Sequence, residues 1–283
     1  MTRIADALAE RSSPSISFEF FPPKTEDGLV QFHRAVAELA ALDPTFVSVT
    51  YGAGGTTRDT TRDLVVQMNA ERAFPTMPHL TCMGHTRDQI ESLVDDYASH
   101  GVENILALAG DPPADGSAPT GDFSFASQLI ELIRERGEFS VGVAAFPEGH
   151  PRSGSVADDR RCLADKLQSA DFAITQFFFD ADDYFAMVDD LASLGCDKPV
   201  LPGIMPLLNT TTIRRLADMN GAKFPEDLAS RIDEADTDDR VAIAVEAAAE
   251  LSSRLLDGGV PGLHLYCLNR SETVLRILDT LGL

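Results

Sequence analysis

Short apolar runs of strand length alternate eight times with longer segments of helical spacing, and this alternation constrains the fold more than any other feature of the chain. The strand candidates are SISFEF (15–20), TFVSVT (45–50), TMPHLTC (76–82), ENILALAG (103–110), FSVGVAA (139–145), DFAITQF (171–177), KPVLPGI (198–204) and GLHLYCL (262–268). Apolar residues recur at helical spacing over 29–41, 59–70, 87–99, 124–136, 158–169, 181–194, 211–219 and 240–256, and a last helix is expected over 270–281. The strands are nearly all apolar, as a sheet covered on both faces requires. Strands that alternate with helices pair in parallel, and eight such units predict closure into one (βα)8 barrel of TIM type. An open doubly wound sheet is the alternative. Against it, the glycine-rich turn GAGGTT (52–57) has neither G-x-G-x-x-G spacing nor a following acidic ribose ligand. The seventh unit is lengthened by a stretch containing PEDLASRIDEADTDD, which predicts an extra helix on the outside.

No Pro/Ser/Gly-rich linker divides the 283 residues, so one domain over 1–283 is expected. The longest apolar stretches are strand-sized, and the N-terminus has no apolar core of signal-peptide length. A cytoplasmic protein without membrane segments is therefore expected. With 45 acidic and 23 basic residues the formal charge is −22, a field that repels nucleic acid and anionic lipid. Cys82, Cys162, Cys196 and Cys267 are scattered and without a CxxC pair, so reduced and mostly buried thiols are expected. Neither HxH nor HExxH occurs and no carboxylates are grouped, so no metal site is predicted.

A barrel of this kind carries its chemistry at the C-terminal ends of its strands. Those ends hold Glu19, Thr50, His79, Gly110-Asp111, Phe146 with His150 beyond it, Gln176, and Tyr266 followed by Asn269-Arg270. Glu19 stands out because its neighbours are Phe18, Phe20 and Phe21. Burial should raise its pKa and keep it protonated, as a general acid requires; the competing reading is a structural carboxylate paired with an arginine. Asp111, between glycine and two prolines, is by itself equally a turn residue. Gln176 needs partners for its amide, either backbone or a flat heteroaromatic ligand. His79, His150 and Lys166 are ambiguous alone, and His33, His85, His100 and His264 are expected to be structural or on the surface. No GxSxG or cysteine–histidine pattern suggests acyl transfer, and no lysine is placed for a Schiff base.

SFEFFPPK, FVSVTYGAGGTTR, PHLTC, LAGDPP, VAAFPEGHP, ITQFFFD, PGIMP and YCLNR, in this order, resemble the bacterial methylenetetrahydrofolate reductase family from about residue 15 to 283. The resemblance implies a (βα)8 barrel that binds FAD. NADH or NADPH would reduce the flavin, which in ping-pong order passes a hydride to methylenetetrahydrofolate, giving methyltetrahydrofolate for methionine synthesis. It also implies that Glu19 is the general acid that opens the folate methylene bridge, and that Asp111 meets the pteridine and influences the flavin. Gln176, Tyr266 and Arg270 would contact folate. Thr50, His79, Gly110, Asp111, Phe125, Ala126, Phe146, His150, Asp159 and Lys166 would contact FAD. Relatives are often homo-oligomers.

The chain departs from the family at three places. Ala109 stands where many relatives carry arginine, and Phe125 and Phe146 where some carry tyrosine, so contacts to FAD are weakened there. Two alternatives stay open: the same reduction without bound flavin, by direct hydride transfer from a nicotinamide or a deazaflavin, and a folate- or flavin-binding barrel without catalysis.

Overall fold

The computed structural model describes residues 2–51, 58–110 and 121–283. Eight parallel strands close into a barrel in the order of the chain. They are β1 (Ser15–Phe20), β2 (Phe46–Val49), β3 (Thr76–Thr81), β4 (Asn104–Leu108), β5 (Ser140–Ala145), β6 (Phe172–Phe177), β7 (Val200–Ile204) and β8 (Gly262–Tyr266). Each falls inside one of the expected apolar runs. The helices between them are α2 (Glu26–Ala40), α3 (Arg58–Glu71), α4 (Arg87–Ser99), α5 (Ala126–Arg136), α6 (Val156–Ser169), α7 (Ala181–Ser193), α8 (Thr210–Asn220), α9 (Glu226–Glu234) and α10 (Thr237–Asp257), and α11 (Ser271–Leu281) follows β8. The seventh unit therefore does carry a further helix, α9. It packs Ala229 and Ile232 against Ile213 and Ala217 of α8 and Ala244 of α10. Several helices begin where a side chain caps the first turn: Thr25, Thr86, Ser155, Asp180, Asn209 and Asp236 each accept a backbone N–H. None of the helices described is long and apolar enough to cross a membrane.

The two faces of the sheet have different jobs. Outward residues such as Phe18, Phe20, Val47, Val49 and Val143 join the layer between sheet and helices. Inward residues fill the barrel itself, where Phe46, Met77, Leu106, Phe172, Ile174 and Leu201 form a separate cluster. Gly142 belongs to this packing: a Cβ there would lie 2.7 Å from the Phe172 ring and 2.9 Å from Leu106. The inner face of β1, by contrast, is polar, with Ser17 opposite His264 and Glu19 opposite Tyr266.

One helix, α1 (Ile4–Glu10), lies outside the expected elements, because its periodic signal is too short to stand out. It closes the N-terminal end of the barrel. Ile4 is fully buried against the inner cluster, its N–H donates to Asn104 Oδ1 (2.7 Å), and the N–H of Ala5 donates to Ser140 Oγ (3.0 Å). With that end plugged, only the opposite end can admit a ligand. Truncating Ile4→Ala removes a fully buried aliphatic side chain from this plug and is expected to cost about 2–5 kcal/mol in urea unfolding. A loss below about 0.5 kcal/mol, in the range of surface substitutions, would mean that α1 does not seal the barrel.

Candidate active site

At the C-terminal ends of the strands a groove runs across the barrel rim as two adjoining cavities of about 720 and 320 Å³. Ala109, Ala126, His150, Arg152 and Lys166 line both. Phe125 and Asp159 line the larger cavity, and Gly110, Phe146 and Gln176 the smaller. Asp111 lies outside the described residues, as does the GAGGTT turn.

One local feature aims a side chain into this groove. In β6 the pairing with β7 advances three residues, from Ile174 to Phe177, against two on β7, from Leu201 to Gly203. The bulge that results turns Gln176 towards the groove. Tyr266 fills the gap it leaves by donating its hydroxyl to the Thr175 carbonyl (2.9 Å). The ring lies so close over Gly203 that a Cβ there would meet it at 2.7 Å.

The groove walls are polar and fixed from behind. Lys166 points along the barrel rim with Nζ 3.4 Å from the Ala144 carbonyl; burial pushes its pKa down and Asp159 pulls it back up. Helix α5 follows Phe125, which has no capping side chain; Gln128 Oε1 instead accepts the N–H groups of Ser124 (2.8 Å) and Phe125 (3.1 Å), and Ala126 and Ser127 of the first turn line the larger cavity. The Phe146 and His150 rings meet edge to face at 4.5 Å, and His150 Nδ1 accepts the Arg152 N–H (3.0 Å). Asp159 is held by Ser153 (3.3 Å) and by the buried Arg160 (3.2 Å). Arg160 also donates to the Phe146 carbonyl (2.8 Å) and fixes the turn after β5. Nothing in its sequence position distinguishes Arg160 from the neighbouring Arg161. Tyr51 and His85 were also not marked by sequence. Tyr51 lines the smaller cavity and its hydroxyl lies 3.1 Å from His85 Nε2. His85 Nδ1 is 3.3 Å from the Met83 carbonyl, so that nitrogen carries the proton and the phenol donates to Nε2. Burial pushes the Tyr51 phenol up to about 12 and His85 down.

Glu19, His79 and Tyr266 come together, buried, inside the barrel mouth. His79 Nε2 and His264 Nε2 each stand 3.3 Å from the same oxygen, Glu19 Oε2. His264 is aligned for a hydrogen bond, whereas His79 Nε2 lies off the hydrogen-bonding direction and is left without a well-formed partner. His264 is itself tied by Nδ1 to Ser17 Oγ (2.8 Å) and lies 3.4 Å from Ser48 Oγ. Burial pushes the Glu19 carboxyl up, as the sequence predicts, but His79 and His264 more than offset it and hold the carboxyl at about 2. The expectation of a raised pKa is thus corrected: the carboxyl is an anion within an imidazole pair. His264, expected to be structural or on the surface, is the buried partner that makes it so.

Two other expected site residues stand apart from the groove. Thr50 is half-buried at the end of β2, its N–H on the Phe20 carbonyl (2.9 Å) and its carbonyl taken by Thr61 Oγ1 (3.0 Å). Arg270 is exposed at the start of α11 and lines a separate outer cavity with Arg34 and Glu38. The loop before it is bound to β1 by Asn269, which takes the left-handed conformation (φ 58°) next to Leu268 (φ 50°). Its Oδ1 accepts the Phe21 N–H (2.9 Å) and its Nδ2 donates to the Phe21 carbonyl (2.8 Å). All four cysteines are free; Cys82 and Cys267 are buried as expected, but Cys162 is exposed on the wall of the larger cavity. Among the described residues no cluster of side chains is arranged to hold a metal ion.

Comparison with known proteins decides the family. Residues 3–282 match the family model described as methylenetetrahydrofolate reductase. The chain belongs to the methylenetetrahydrofolate reductase family. It is 36% identical over 280 residues to the 5,10-methylenetetrahydrofolate reductase of Escherichia coli, covering 98% of this chain and 94% of that one. The Pectobacterium carotovorum enzyme of the same name is 36% identical over 271 residues, covering 95% and 90% of the two chains. Methylenetetrahydrofolate reductase (NADH) 1 of Arabidopsis thaliana is 35% identical across 98% of this chain, which spans 50% of that protein. Among solved structures, a Clostridium thermocellum protein that binds two copies of 5-methyl-5,6,7,8-tetrahydrofolic acid has the same fold (TM-score 0.67, 15% identity, covering 99% of this chain and all of that one). As a member of this reductase family the chain is an oxidoreductase of that type.

The Glu19 pair yields a pH prediction with a definite sign. A carboxyl held at about 2 contributes stability that is complete above the usual carboxylate range and is lost as the pH falls towards 2. Infrared difference spectra against Glu19→Gln should find Glu19 still ionised at pH 4, and His79→Gln should move its protonation to higher pH. A carboxyl protonated at pH 6 in the wild type would contradict this geometry.

Proposed function

We propose that the chain reduces 5,10-methylenetetrahydrofolate to methyltetrahydrofolate with NADH or NADPH, using FAD in ping-pong order, and that Glu19 is its general acid. The observation that carries this reading is a carboxylate buried in the mouth of a family-matched barrel, beside a groove with a basic wall. When bound, FAD supplies the carrier that accepts a hydride from the nicotinamide and gives it to the folate.

The residues present fit that group. Lys166, Arg152 and Ala126 at the start of α5 line the stretch shared by the two cavities, where no carboxylate among the described residues lines the smaller one, and offer donors and positive charge suited to a diphosphate; Glu131, Asp158, Asp159 and Asp165 line the larger cavity beyond them. Arg152 stands beside Ala109, so the cation missing at that position is met from the next loop. Phe146, His150 and Tyr51 give ring faces and Gln176 an amide for a flat heterocycle. Nε2 of His79, close to Glu19 Oε2 but off the hydrogen-bonding direction, supplies a donor or acceptor at the barrel mouth.

Glu19 starts as an anion and must take up a proton before it can give one. A ligand that engages His79 and excludes the remaining solvent removes one of the two imidazole contacts and deepens burial, and both changes push the carboxyl up. The proton then moves from Glu19 to a bridge nitrogen of the folate, the C–N bond breaks, and the carbon is left as an iminium ready for hydride. In this reading Gln176, on the smaller cavity, and Tyr266, beside Glu19, orient the pterin.

Three measurements test the proposal. The purified protein should show flavin absorbance; a colourless preparation with full activity would establish hydride transfer without FAD. Glu19→Gln should slow the folate half-reaction by roughly 10²–10⁴-fold, with a far smaller effect on reduction by NAD(P)H; equal losses in both would make Glu19 structural. Lys166→Met should raise the dissociation constant for FAD by roughly 10-fold or more, and Arg152→Ala, which is more exposed, by less. Unchanged flavin affinity in both would remove the basic wall from the cofactor site.

A further inference from the structure

We infer that His264, held by Ser17, is a positioning residue for the reduction: it pins one oxygen of Glu19 from inside the barrel so that the other, Oε1, is the oxygen that carries and delivers the proton. This rests on Glu19 being the acid, as proposed above.

The argument is one of occupancy. Both imidazoles approach Oε2, at 3.3 Å each, and Oε1 has no hydrogen bond among the described residues. Glu19 keeps a small exposed fraction of 5%, whereas His264, Ser17 and Ser48 have none. Solvent and ligand can therefore reach the carboxyl from the mouth only, while His264 reaches it from below.

The His264 ring has little freedom. It stacks on Phe46 at 5.6 Å with planes 16° apart, meets Tyr266 edge-on at 5.7 Å, and is tied by Nδ1 to Ser17. Whichever way the Ser17 hydroxyl turns, Nε2 faces a carboxylate oxygen, and a lone pair on each would repel. One proton must lie between Nε2 and Oε2. That proton has no route to the folate, because it lies on the interior side of the carboxyl. The transferable proton is accordingly a second one, on Oε1. The Nε2–H bond stabilises the carboxylate left after Oε1 has given its proton, which makes Glu19 a stronger acid than burial alone would allow.

Among the described residues, the titratable groups facing this carboxyl are His79 from β3 and His264 and Tyr266 from β8, with the Cys267 thiol on the Glu19 backbone carbonyl (2.8 Å). Of these, His79 borders the mouth and is open to engagement by a ligand; His264 is not.

The test compares His264→Leu, which removes the donor, with His264→Gln, which keeps one, and with Ser17→Ala and Ser17→Thr. The first readout is the infrared protonation of Glu19 in protein without folate, between pH 3 and pH 8. The second is the pH profile of the folate half-reaction. Removal of the donor raises the carboxyl, so both titrations should shift to higher pH in His264→Leu and, less strongly, in Ser17→Ala. His264→Gln and Ser17→Thr should return them towards wild type. The rate constant should fall by about 10-fold or more in His264→Leu with little change in KM, as expected when an acid loses its alignment. If His264→Leu folds poorly, the Ser17 pair carries the test. Titrations and profiles that coincide with wild type in both His264→Leu and Ser17→Ala would overturn the inference while leaving Glu19 as the acid. Full folate reduction by Glu19→Gln would overturn both readings together.

Discussion

A carboxylate inside a closed parallel barrel has to be met by donors from neighbouring strands, since water reaches it from one side only and isolated charge in such a place is costly. The mouth of this barrel is organised around that demand. β8 supplies His264, β3 supplies His79, and β1 supplies the serine that fixes the first of these. The inner face of β1 is polar for that reason, while the rest of the interior is filled by Phe46, Met77, Leu106, Phe172 and Leu201 and sealed below by Ile4. Apolar packing and buried charge thus share one cavity, divided by height along the barrel axis.

The groove above solves a different electrostatic problem. The chain carries a net charge of −22, yet the proposed folate, flavin and nicotinamide ligands are all anions. Long-range attraction cannot gather them, because exposed charges are screened beyond about 8 Å at physiological ionic strength and the overall sign is wrong. Attraction has to be local. Lys166 and Arg152 provide it where the two cavities meet; Glu131, Asp158, Asp159 and Asp165 also line the larger cavity, and of these Asp159 and Asp158 are paired with Arg160 and Arg161.

The barrel itself was legible in the sequence because strands buried on both faces leave unbroken apolar runs, and a single glutamate in such a run is conspicuous. The position of Glu19 could be read; its charge state could not. Burial is a local property of SFEF, but the imidazoles that reverse its effect arrive from strands distant in the chain, one of them 245 residues away. The same limit hid Arg160 and Tyr51, whose importance comes from a carbonyl and a histidine across the fold. Arg270 shows another limit. Its motif neighbours Tyr266, yet the turn at Leu268 and Asn269 sends it to the outer face, and backbone direction after a strand end is not encoded in a motif. Gln176 could be read as an amide in need of partners, and it lines the smaller cavity, although the bulge beside it was invisible.

Asn269 continues the β1–β8 pairing one step beyond the last backbone rung, with its carboxamide acting as a piece of main chain against Phe21. Such mimicry depends on having a donor and an acceptor side by side, and hydrolysis of the amide to a carboxylate keeps the shape while exchanging the donor for a second acceptor. An oxygen would then face the Phe21 carbonyl, and the rim two residues from Glu19 would lose its fastening. Slow chemical ageing at this one asparagine would therefore reach Glu19, the proposed proton donor, without altering any residue that touches its carboxyl.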